Sequence, residues 1–351
     1  MAGQTKARPA FRGTILALLS ALAFGLTTPL VQRFGKGAGS FATAALLYAG
    51  AAAVGFGSRS KNEARVKREH LGRVLIVGAL GAGVAPAALA WGLARASGTA
   101  ASLMLNVEAV FTLALASWLY AEHVGRRVAF AAALLVAGGA LLVLDRPRAE
   151  ESARVVGLFA VAFASLAWAL DNALAKPLSS LDPAAVVASK GAVGATLSAG
   201  VALALSEAWP PAERAAALMA VGGVGYGLSL ALYLRAQRAL GAGRTASVFA
   251  AAPFCGAGLA WALGEPAGGF ALAAGAIMIA GLALHLTEKH DHVHTHDDVE
   301  HEHAHRHDDG HHDHAHDPMP LGAHTHPHRH ARTVHAHPHL PDLHHGHGHD
   351  E

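Results

Sequence analysis

Residues 97–122 read SGTAASLMLNVEAVFTLALASWLYAE, a long apolar run with one acid, Glu108, near its middle and another, Glu122, at its end. A similar run, RTASVFAAAPFCGAGLAWALGE, occupies residues 244–265. An offset of 144 residues, within one residue, aligns Glu108-Ala109 with Ala252-Pro253, residues 22–26 with 166–170, and Ala137-Gly138 with Ala280-Gly281. Three matches in one order at one offset predict an internal duplication of a unit of about five helices.

The composition indicates a membrane protein. The 351 residues are 52% hydrophobic and 15% charged, whereas about a quarter of the residues of a soluble protein are charged. A single cysteine, Cys255, excludes an intrachain disulfide and a cysteine zinc cluster. The net charge of +2 gives no indication of a nucleic-acid partner. The apolar composition makes the lipid bilayer the expected partner.

Ten apolar runs are long enough to span a bilayer, whose hydrocarbon core of about 30 Å needs about 20 helical residues. They cover residues 13–32, 41–57, 71–94, 97–120, 128–144, 155–175, 184–205, 215–235, 245–263 and 270–286. Because an unpaired backbone group in lipid is costly, each run is predicted to be helical. The predicted fold is an all-α integral membrane protein with ten transmembrane helices, in two five-helix repeats at 13–145 and 155–287.

The first run also has features of a cleaved signal peptide, namely a basic start and a small-residue site at residues 21–23. Its continuation to Gln32 and its counterpart near residue 166 favour a membrane span, because a cleaved segment has no reason to be copied inside the duplication.

The loop charges predict the orientation. If the N-terminus is cytoplasmic, sixteen Lys and Arg residues lie inside and seven outside, which places both termini in the cytoplasm. The outside set is Arg33, Lys36, Arg95, Arg146, Arg148, Arg154 and Arg214. Since each repeat has an odd number of spans, the two repeats are inverted, an architecture typical of transporters that bind substrate near the midplane. We assign the chain to the cytoplasmic membrane of a bacterium.

From residue 288 the composition changes to histidine alternating with Asp, Glu, Pro and Gly. Such a segment cannot bury a core, so residues 288–351 are predicted to be disordered when free. Imidazole and carboxylate groups are ligands for zinc, nickel and cobalt, which predicts a tail that binds a divalent transition metal. The predicted metal ligands are His290, His292, His294, His296, His301, His303, His305, His307, His311, His312, His314 and His316. The alternative is a solvated tail that binds metal incidentally.

The duplicated unit resembles the EamA type of the drug/metabolite transporter superfamily. The resemblance covers about residues 13–287 and lies in residues 106–111 with Ala121-Glu122, and in residues 251–254 with residues 263–265. The second repeat keeps the proline and the closing Gly-Glu, whereas the first has Ala109 and Ala121 at these places, which puts a helix kink there in doubt. The resemblance implies ten helices, cytoplasmic termini and transport of small metabolites, without a named substrate.

Charged and polar residues in the spans are candidate site residues, because their burial in lipid is costly. Glu108 either carries a coupling proton or hydrogen-bonds a neighbouring helix. Asp171, Asn172 and Lys190 either bind a charged or zwitterionic solute or form a structural ion pair. Thr27 and Thr28 align with Asp171 and Asn172, which favours a cavity between the repeats. Trp91, Trp168, Tyr226 and Tyr233 are predicted to be packing or interface residues, and Cys255 a packing residue.

These observations predict a secondary transporter of a small metabolite or drug-like solute that works by alternating access, with a metal-binding tail and no required cofactor. The alternatives are a zinc, nickel or cobalt transporter and a membrane-anchored metal store or sensor. An intramembrane enzyme is disfavoured, because the sequence lacks the zinc-protease, serine-hydrolase and phosphate-loop motifs. The sequence leaves a homodimer open.

Overall fold

The computed structural model describes residues 7–59, 64–120, 125–144, 151–178, 181–240, 242–266, 268–286, 290–296, 299–305, 324–330 and 333–339. Within these residues, nine helical segments are long and apolar enough to cross a membrane, and Gly269–Leu284 is a shorter apolar helix. The chain is therefore a multi-pass helical membrane protein, as the ten apolar runs predict.

The first repeat contains eight helices that form five spans. They are α1 (Ala7–Gly25), α2 (Thr27–Phe34), α3 (Ser40–Gly57), α4 (Leu71–Ala79), α5 (Ala85–Leu93), α6 (Gly98–Met104), α7 (Val107–Tyr120) and α8 (Arg126–Leu144). Helices α1 and α2 form span 1, α3 is span 2, and α8 is span 5. Span 3 joins α4 and α5 through a π-helical turn, Leu80–Val84, and begins with a 3₁₀ turn, Arg68–His70. Span 4 consists of α6 and α7.

The second repeat has the same organisation. Its helices are α9 (Glu151–Ala175), α10 (Pro183–Ala204), α11 (Ala212–Gly222), α12 (Ser229–Leu240), α13 (Ala242–Phe249), α14 (Ala252–Ala262) and α15 (Gly269–Leu286). Helices α9, α10 and α15 are spans 6, 7 and 10, and a 3₁₀ turn, Lys176–Leu178, follows α9. Span 8 joins α11 and α12 through a second π-helical turn, Gly223–Leu228. Span 9 consists of α13 and α14. The two π-helical turns thus occupy equivalent positions in the two repeats.

The packing between the repeats follows the same symmetry. Span 2 packs on span 7 and span 5 on span 10, so these spans meet their own counterparts. Span 1 packs on span 8, and the equivalent pair, span 6 on span 3, is also formed. Small residues at these contacts let the helices approach closely, as is typical in membranes. At the contact of spans 1 and 8, the hydroxyls of Ser20 and Ser229 each donate to the other's carbonyl oxygen, at 2.8 and 2.9 Å.

Spans 4 and 9 are both interrupted, at residues 105–106 and 250–251. In span 9 the interruption is followed by Pro253 in the first turn of α14, a position that proline tolerates. Span 4 has no proline at this place, and for that reason the sequence left a kink in the first repeat in doubt. The structure nevertheless interrupts span 4 between α6 and α7. At this break the side-chain amide of buried Asn106 donates to the carbonyl oxygen of Leu103 at 3.0 Å.

The even number of spans puts residue 7 and residue 286 at the same face of the protein, which we call the terminal face. The opposite face, the distal face, contains the connections between spans 1 and 2, 3 and 4, 7 and 8, and 9 and 10.

The described parts of the tail form four strands, which differs from the predicted absence of secondary structure. They are β1 (His290–His296), β2 (Val299–His305), β3 (His324–His330) and β4 (Thr333–His339). Strand β1 pairs antiparallel with β4, and β2 pairs antiparallel with β3. The prediction considered only the lack of a buried core. The period-two alternation of histidine with other residues also matches the period of a strand.

Candidate functional site

A buried ion pair joins spans 6 and 7. Asp171 on α9 and Lys190 on α10 are hydrogen-bonded, and their side chains are 2% and 12% exposed. This confirms the predicted pairing of these two charges across the connection of spans 6 and 7. Oδ1 of Asp171 has no hydrogen-bond partner among the described residues. A buried acceptor without a partner is costly, and it is a feature that a ligand can satisfy.

Glu108 from the other repeat meets this pair. The amide of Asn172 on α9 donates to Oε1 of Glu108 on α7, at 3.1 Å. Asp171 and Lys190 are also close enough to Glu108 to interact with it electrostatically. We call Glu108, Asp171, Asn172 and Lys190 the charged cluster. It contains two carboxyl groups and one ammonium group, so an ionised Glu108 has no cation of its own.

The π-helical turn of span 3 forms one wall of the charged cluster. Gly81 packs directly on the carboxylate of Asp171, and a Cβ at position 81 would overlap that carboxylate. The Gly81 carbonyl oxygen accepts hydrogen bonds from the Tyr48 hydroxyl at 2.7 Å and from the Trp168 indole at 2.9 Å. π-Helical turns are uncommon and are frequent at functional sites. The turn therefore ties the charged cluster to two aromatic residues.

An aromatic cluster lies next to the charged cluster, one helical turn before Asp171 on α9. Tyr226 stacks on Tyr48, with ring centroids 5.2 Å apart, and on Trp168 at 6.2 Å. The ring of Phe24 packs edge-on against Tyr226 at 5.8 Å. These rings come from spans 1, 2, 6 and 8, so they join both repeats. Because α9 runs towards the terminal face, the charged cluster lies on the terminal side of the aromatic cluster.

Spans 4 and 9 break the symmetry of the packing. Their distal halves, α6 and α14, pack against each other, whereas their terminal halves, α7 and α13, make no comparable contact among the described residues. Glu108 lies at the start of α7 and is half-buried, and Asn172 beside it is exposed. The structure thus packs spans 4 and 9 together at the distal face, whereas their described residues show no comparable packing at the terminal face, where the charged cluster lies.

The structure does not bring the two predicted threonines to this cluster as hydrogen-bond partners. Both are buried, and the Thr27 hydroxyl donates to the Phe24 carbonyl oxygen in its own span at 2.6 Å. Among the described residues no hydrogen bond links either threonine to Asp171 or Asn172, and a ligand role for Thr27 and Thr28 stays a prediction.

The aromatic residues pack as predicted. Trp168 and Tyr226 are buried in the aromatic cluster, and Tyr233 packs on Phe249 with centroids 5.0 Å apart. Trp91 lies near the distal face, where the Arg95 guanidinium sits 3.5 Å from its ring centroid. Cys255 is half-buried in α14.

Of the predicted metal ligands, seven lie in the strands β1 and β2, at His290, His292, His294, His296, His301, His303 and His305. His307, His311, His312, His314 and His316 lie outside the described residues. Within the described residues, no group of three or more His, Cys, Asp or Glu side chains is placed to hold a metal ion.

Sequence reasoning missed Tyr48 and Gly81 as neighbours of the charged cluster. The sequence LGAGVAP at residues 80–86 is apolar and glycine-rich, like many membrane helices, so it gives no sign of a π-helical turn. Its match to the glycine-rich residues 222–227, at nearly the repeat offset, is the signal that could have indicated it.

Comparison with known proteins gives a consistent result. The profile of the EamA-like transporter family matches residues 11–144 and again residues 155–287. An uncharacterized transporter of Methanothermobacter thermautotrophicus is 30% identical over 123 residues, which cover 34% of this chain and 36% of the relative. The match thus spans about a third of that relative's length. A solved structure, described as the crystal structure of a protein, has a TM-score of 0.58 at 19% identity and covers 78% of this chain and 97% of that chain, which supports the fold.

Proposed function

The chain belongs to the EamA-like transporter family, and on this premise we propose that it moves a small metabolite or drug-like solute across the membrane by alternating access. The observation that carries the proposal is the charged cluster. It joins the two repeats near the opening between α7 and α13, which is where a solute would bind in an inverted-repeat transporter.

The chemistry of the charged cluster favours a solute that carries a charged amino group. Oδ1 of Asp171 has no hydrogen-bond partner within the part of the chain that the structure describes, and Glu108 has the neutral Asn172 amide as its partner. A protonated amine supplies hydrogen-bond donors and a positive charge to both carboxyl groups. Lys190 can meet a carboxylate of the same solute, so a zwitterion also fits. The neighbouring rings of Trp168 and Tyr226 provide apolar surface for the rest of the molecule.

We assign the coupling proton to Glu108. The cluster has one more acid than base, and an unpaired charge in the membrane is costly. Glu108 therefore holds either a proton or the amino group of the solute. Such competition makes binding of one favour release of the other, which is how a proton gradient can drive solute movement.

For the orientation, the Lys and Arg distribution supports a cytoplasmic terminal face. We therefore place both termini in the bacterial cytoplasm and describe the structure as open towards the cytoplasm. An activity other than transport finds no support in the family, and we propose that the protein is not an enzyme.

The test is transport by purified full-length protein in proteoliposomes. Vesicles are offered a cell extract of small metabolites with and without a pH gradient, and the retained solutes are identified by mass spectrometry. We expect at least one amine-bearing solute to be retained in a gradient-dependent way. The control is the double variant Asp171→Ala/Lys190→Ala, which removes both charges of the buried pair. Equal retention by the control, or retention of acids alone, would contradict the proposal.

A second function, divalent transition-metal binding by the tail, is supported by the strand register. His290, His292 and His294 of β1 lie opposite His339, His337 and His335 of β4. In the other pair, His301, His303 and His305 lie opposite His328, His326 and His324. Positions two apart share one face of a strand, so each pair presents rows of facing histidine positions. Imidazole is a good ligand for zinc, nickel and cobalt, and several from two strands can complete one coordination shell.

This proposal is tested on the full-length protein by zinc titration calorimetry. Because the neutral imidazole is the ligand and an unperturbed imidazole protonates at about pH 6.5, we expect binding at about pH 7.5 and release at about pH 5. Replacing His292, His294, His335 and His337 with alanine should remove more sites than replacing His311, His312, His314 and His316. Equal binding at both pH values would contradict metal binding, and equal losses would contradict the register.

The rival function, a dedicated zinc, nickel or cobalt transporter, makes a different prediction. If the metal is the cargo, metal-loaded vesicles should show zinc movement that the double variant Asp171→Ala/Lys190→Ala abolishes. A metal store or sensor would bind zinc in the tail without transport of any solute. The homodimer left open by the sequence is tested by the mass of the protein in detergent.

A further inference from the structure

The distal face holds a set of hydrogen bonds that join the two repeats and that the charged cluster does not use. The carboxylate of Glu265, in the connection between spans 9 and 10, accepts from the backbone amides of Gly98 and Thr99 and from the Thr99 hydroxyl, each at 2.8 Å. These donors belong to the first turn of α6. Glu265, which belongs to the second repeat, thus caps the N-terminal end of span 4 in the first repeat.

The local structure explains why this acid reaches α6. Helix α14 ends at Ala262, and two residues later Gly264 has a φ of +98°, a conformation that favours glycine. The amide of Glu265 donates back to the Ala260 carbonyl oxygen at 3.1 Å, and that of Gly264 to Trp261 at 3.0 Å. This is the Schellman arrangement that commonly ends a helix. The glycine therefore turns the chain, and the following glutamate is directed to the neighbouring span.

Two further contacts join the repeats at the same face. The carboxylate of Glu207, between spans 7 and 8, accepts from the Ala42 amide of span 2 at 2.9 Å. The guanidinium of Arg214 donates to the Lys36 carbonyl oxygen at 2.6 Å. A carboxylate at a helix N-terminus is stabilised by the unpaired amides and by the helix dipole. Glu265 and Glu207 thus each cap a helix of the first repeat from the second.

The bonds of Glu265 lie at the face where spans 4 and 9 are packed together. Helices α6 and α14 meet under Glu265, whereas the equivalent contact of α7 and α13 at the terminal face is not formed among the described residues. In an inverted-repeat protein the opposite state forms when the two repeats exchange conformations. That exchange requires α6 and α14 to separate, and this separation must break the three bonds of Glu265.

We propose that Glu265, bonded to Gly98 and Thr99, is the latch that closes the distal face, and that it opens once in every transport cycle. Glu207 and Arg214 hold the neighbouring spans and are secondary to it. The bonds are suited to this role because they are charge-assisted and Glu265 itself is half-exposed, so water can replace the buried donors of α6 as partners of its carboxylate when the spans separate. The proposal uses family membership and does not depend on the identity of the solute.

The experiment measures access to a buried position beneath the latch. Ser102 is 0% exposed and lies one turn below Thr99 on α6, facing Gly256 of α14. In full-length protein that carries Cys255→Ser, Ser102→Cys provides a single thiol. The protein is placed in lipid nanodiscs, and the rate of reaction with a charged maleimide is followed by mass spectrometry. Complete reaction after denaturation defines the endpoint.

We expect slow reaction of this thiol in the parent protein and a rate about tenfold higher with Glu265→Gln, which corresponds to about 1.4 kcal/mol in the opening equilibrium. Thr99→Val removes the hydroxyl donor and keeps the backbone amides, so its increase should be smaller. The matched control, Glu213→Gln, neutralises an exposed acid at the same face and should leave the rate unchanged.

A thermal melt of each variant separates opening from unfolding. An unchanged rate in Glu265→Gln and in Thr99→Val, with melting temperatures like that of the parent, overturns the proposal. If Glu265→Gln does not fold, Thr99→Val decides the outcome. An equal increase with Glu213→Gln also overturns it, because the effect would then come from surface charge and not from the bonds to α6.

Discussion

Glu108, Asp171 and Lys190 place two acids and one base within the membrane, and the pairing among them determines what each can do. Lys190 bonds directly to Asp171, which leaves Glu108 with the Asn172 amide. Asp171 and Asn172 are adjacent on α9, so their side chains project about 100° apart and reach different partners. Helix α9 thus provides one partner to Lys190 and one partner to Glu108.

The buried ion pair can be tested by a mutant cycle. Asp171→Ala or Lys190→Ala alone leaves a buried charge without its partner, and we expect a loss of stability of about 3–5 kcal/mol. The double variant should be more stable than either single variant, because it leaves no uncompensated charge. Folded yield and thermal melting of the four proteins measure this. Single losses that simply add in the double variant would show that the pair makes no contribution.

A second prediction at this scale concerns proton coupling. Glu108→Gln keeps the size of the side chain and an acceptor for Asn172, but the amide cannot take up a proton. We expect the variant to bind solute but to lose the acceleration of transport by a pH gradient. Solute exchange without a gradient, measured in the same vesicles, is the control. A full response of the variant to the gradient would assign coupling to another group.

At the scale of elements, the π-helical turn of span 3 places backbone atoms in contact with the buried aromatic and charged side chains, and span 8 has a π-helical turn at the equivalent position. The turn at Leu80–Val84 presents a carbonyl oxygen to Tyr48 and Trp168 and lets Gly81 touch Asp171. A regular helix with a larger residue would move α9 away from span 3. The charged cluster therefore depends on this turn as well as on its own side chains.

Two glycine substitutions in span 3 test this dependence. Gly81→Ala forces the new methyl group into the Asp171 carboxylate, and we expect a loss of stability of about 1–3 kcal/mol together with loss of transport. Gly72→Ala is the matched control, because a Cβ there has no neighbour within 4 Å. In a helix this control should be neutral or stabilising by about 0.5–1 kcal/mol. Thermal melting and transport are measured for both, and equal effects would contradict the argument.

At the scale of the whole molecule, the protein consists of a duplicated membrane unit followed by a tail of different composition. The two family matches end at residues 144 and 287, and the second thus stops before the histidine-rich segment begins. The contacts that join the repeats, from Ser20 and Ser229 to the bonds of Glu265, all lie within the membrane unit.

Removal of residues 288–351 should therefore leave folding and solute transport intact and should abolish high-capacity zinc binding. Transport in proteoliposomes, with and without added zinc, is compared for the full-length and shortened proteins at equal amounts of inserted protein. A change in the zinc dependence would indicate a regulatory tail. If the shortened protein inserts normally but moves no solute, the tail delivers the cargo, and the metal-transporter alternative gains support.

The helical spans could be predicted from the sequence because the bilayer imposes their length and their apolar composition. The ten predicted runs coincide with the ten spans to within a few residues at most ends. The Asp171–Lys190 pair was also predictable, because both residues lie at nearly equal distance from the connection of spans 6 and 7. The strands of the tail were missed, since composition was given more weight than its period-two pattern.

What the sequence by itself determined is the membrane class, the ten helices, the duplication and the inversion, because hydropathy, length and an odd number of spans follow directly from residue order. The tertiary structure decided which groups meet. Gly81 reaches Asp171, Asn172 reaches Glu108, and Glu265 reaches α6, all across pairs of spans far apart in the chain. These contacts depend on how each helix is rotated about its axis and on the π-helical turns. Apolar side chains pack equally well against lipid and against protein, so the periodicity of the sequence indicates neither the rotation nor the turns.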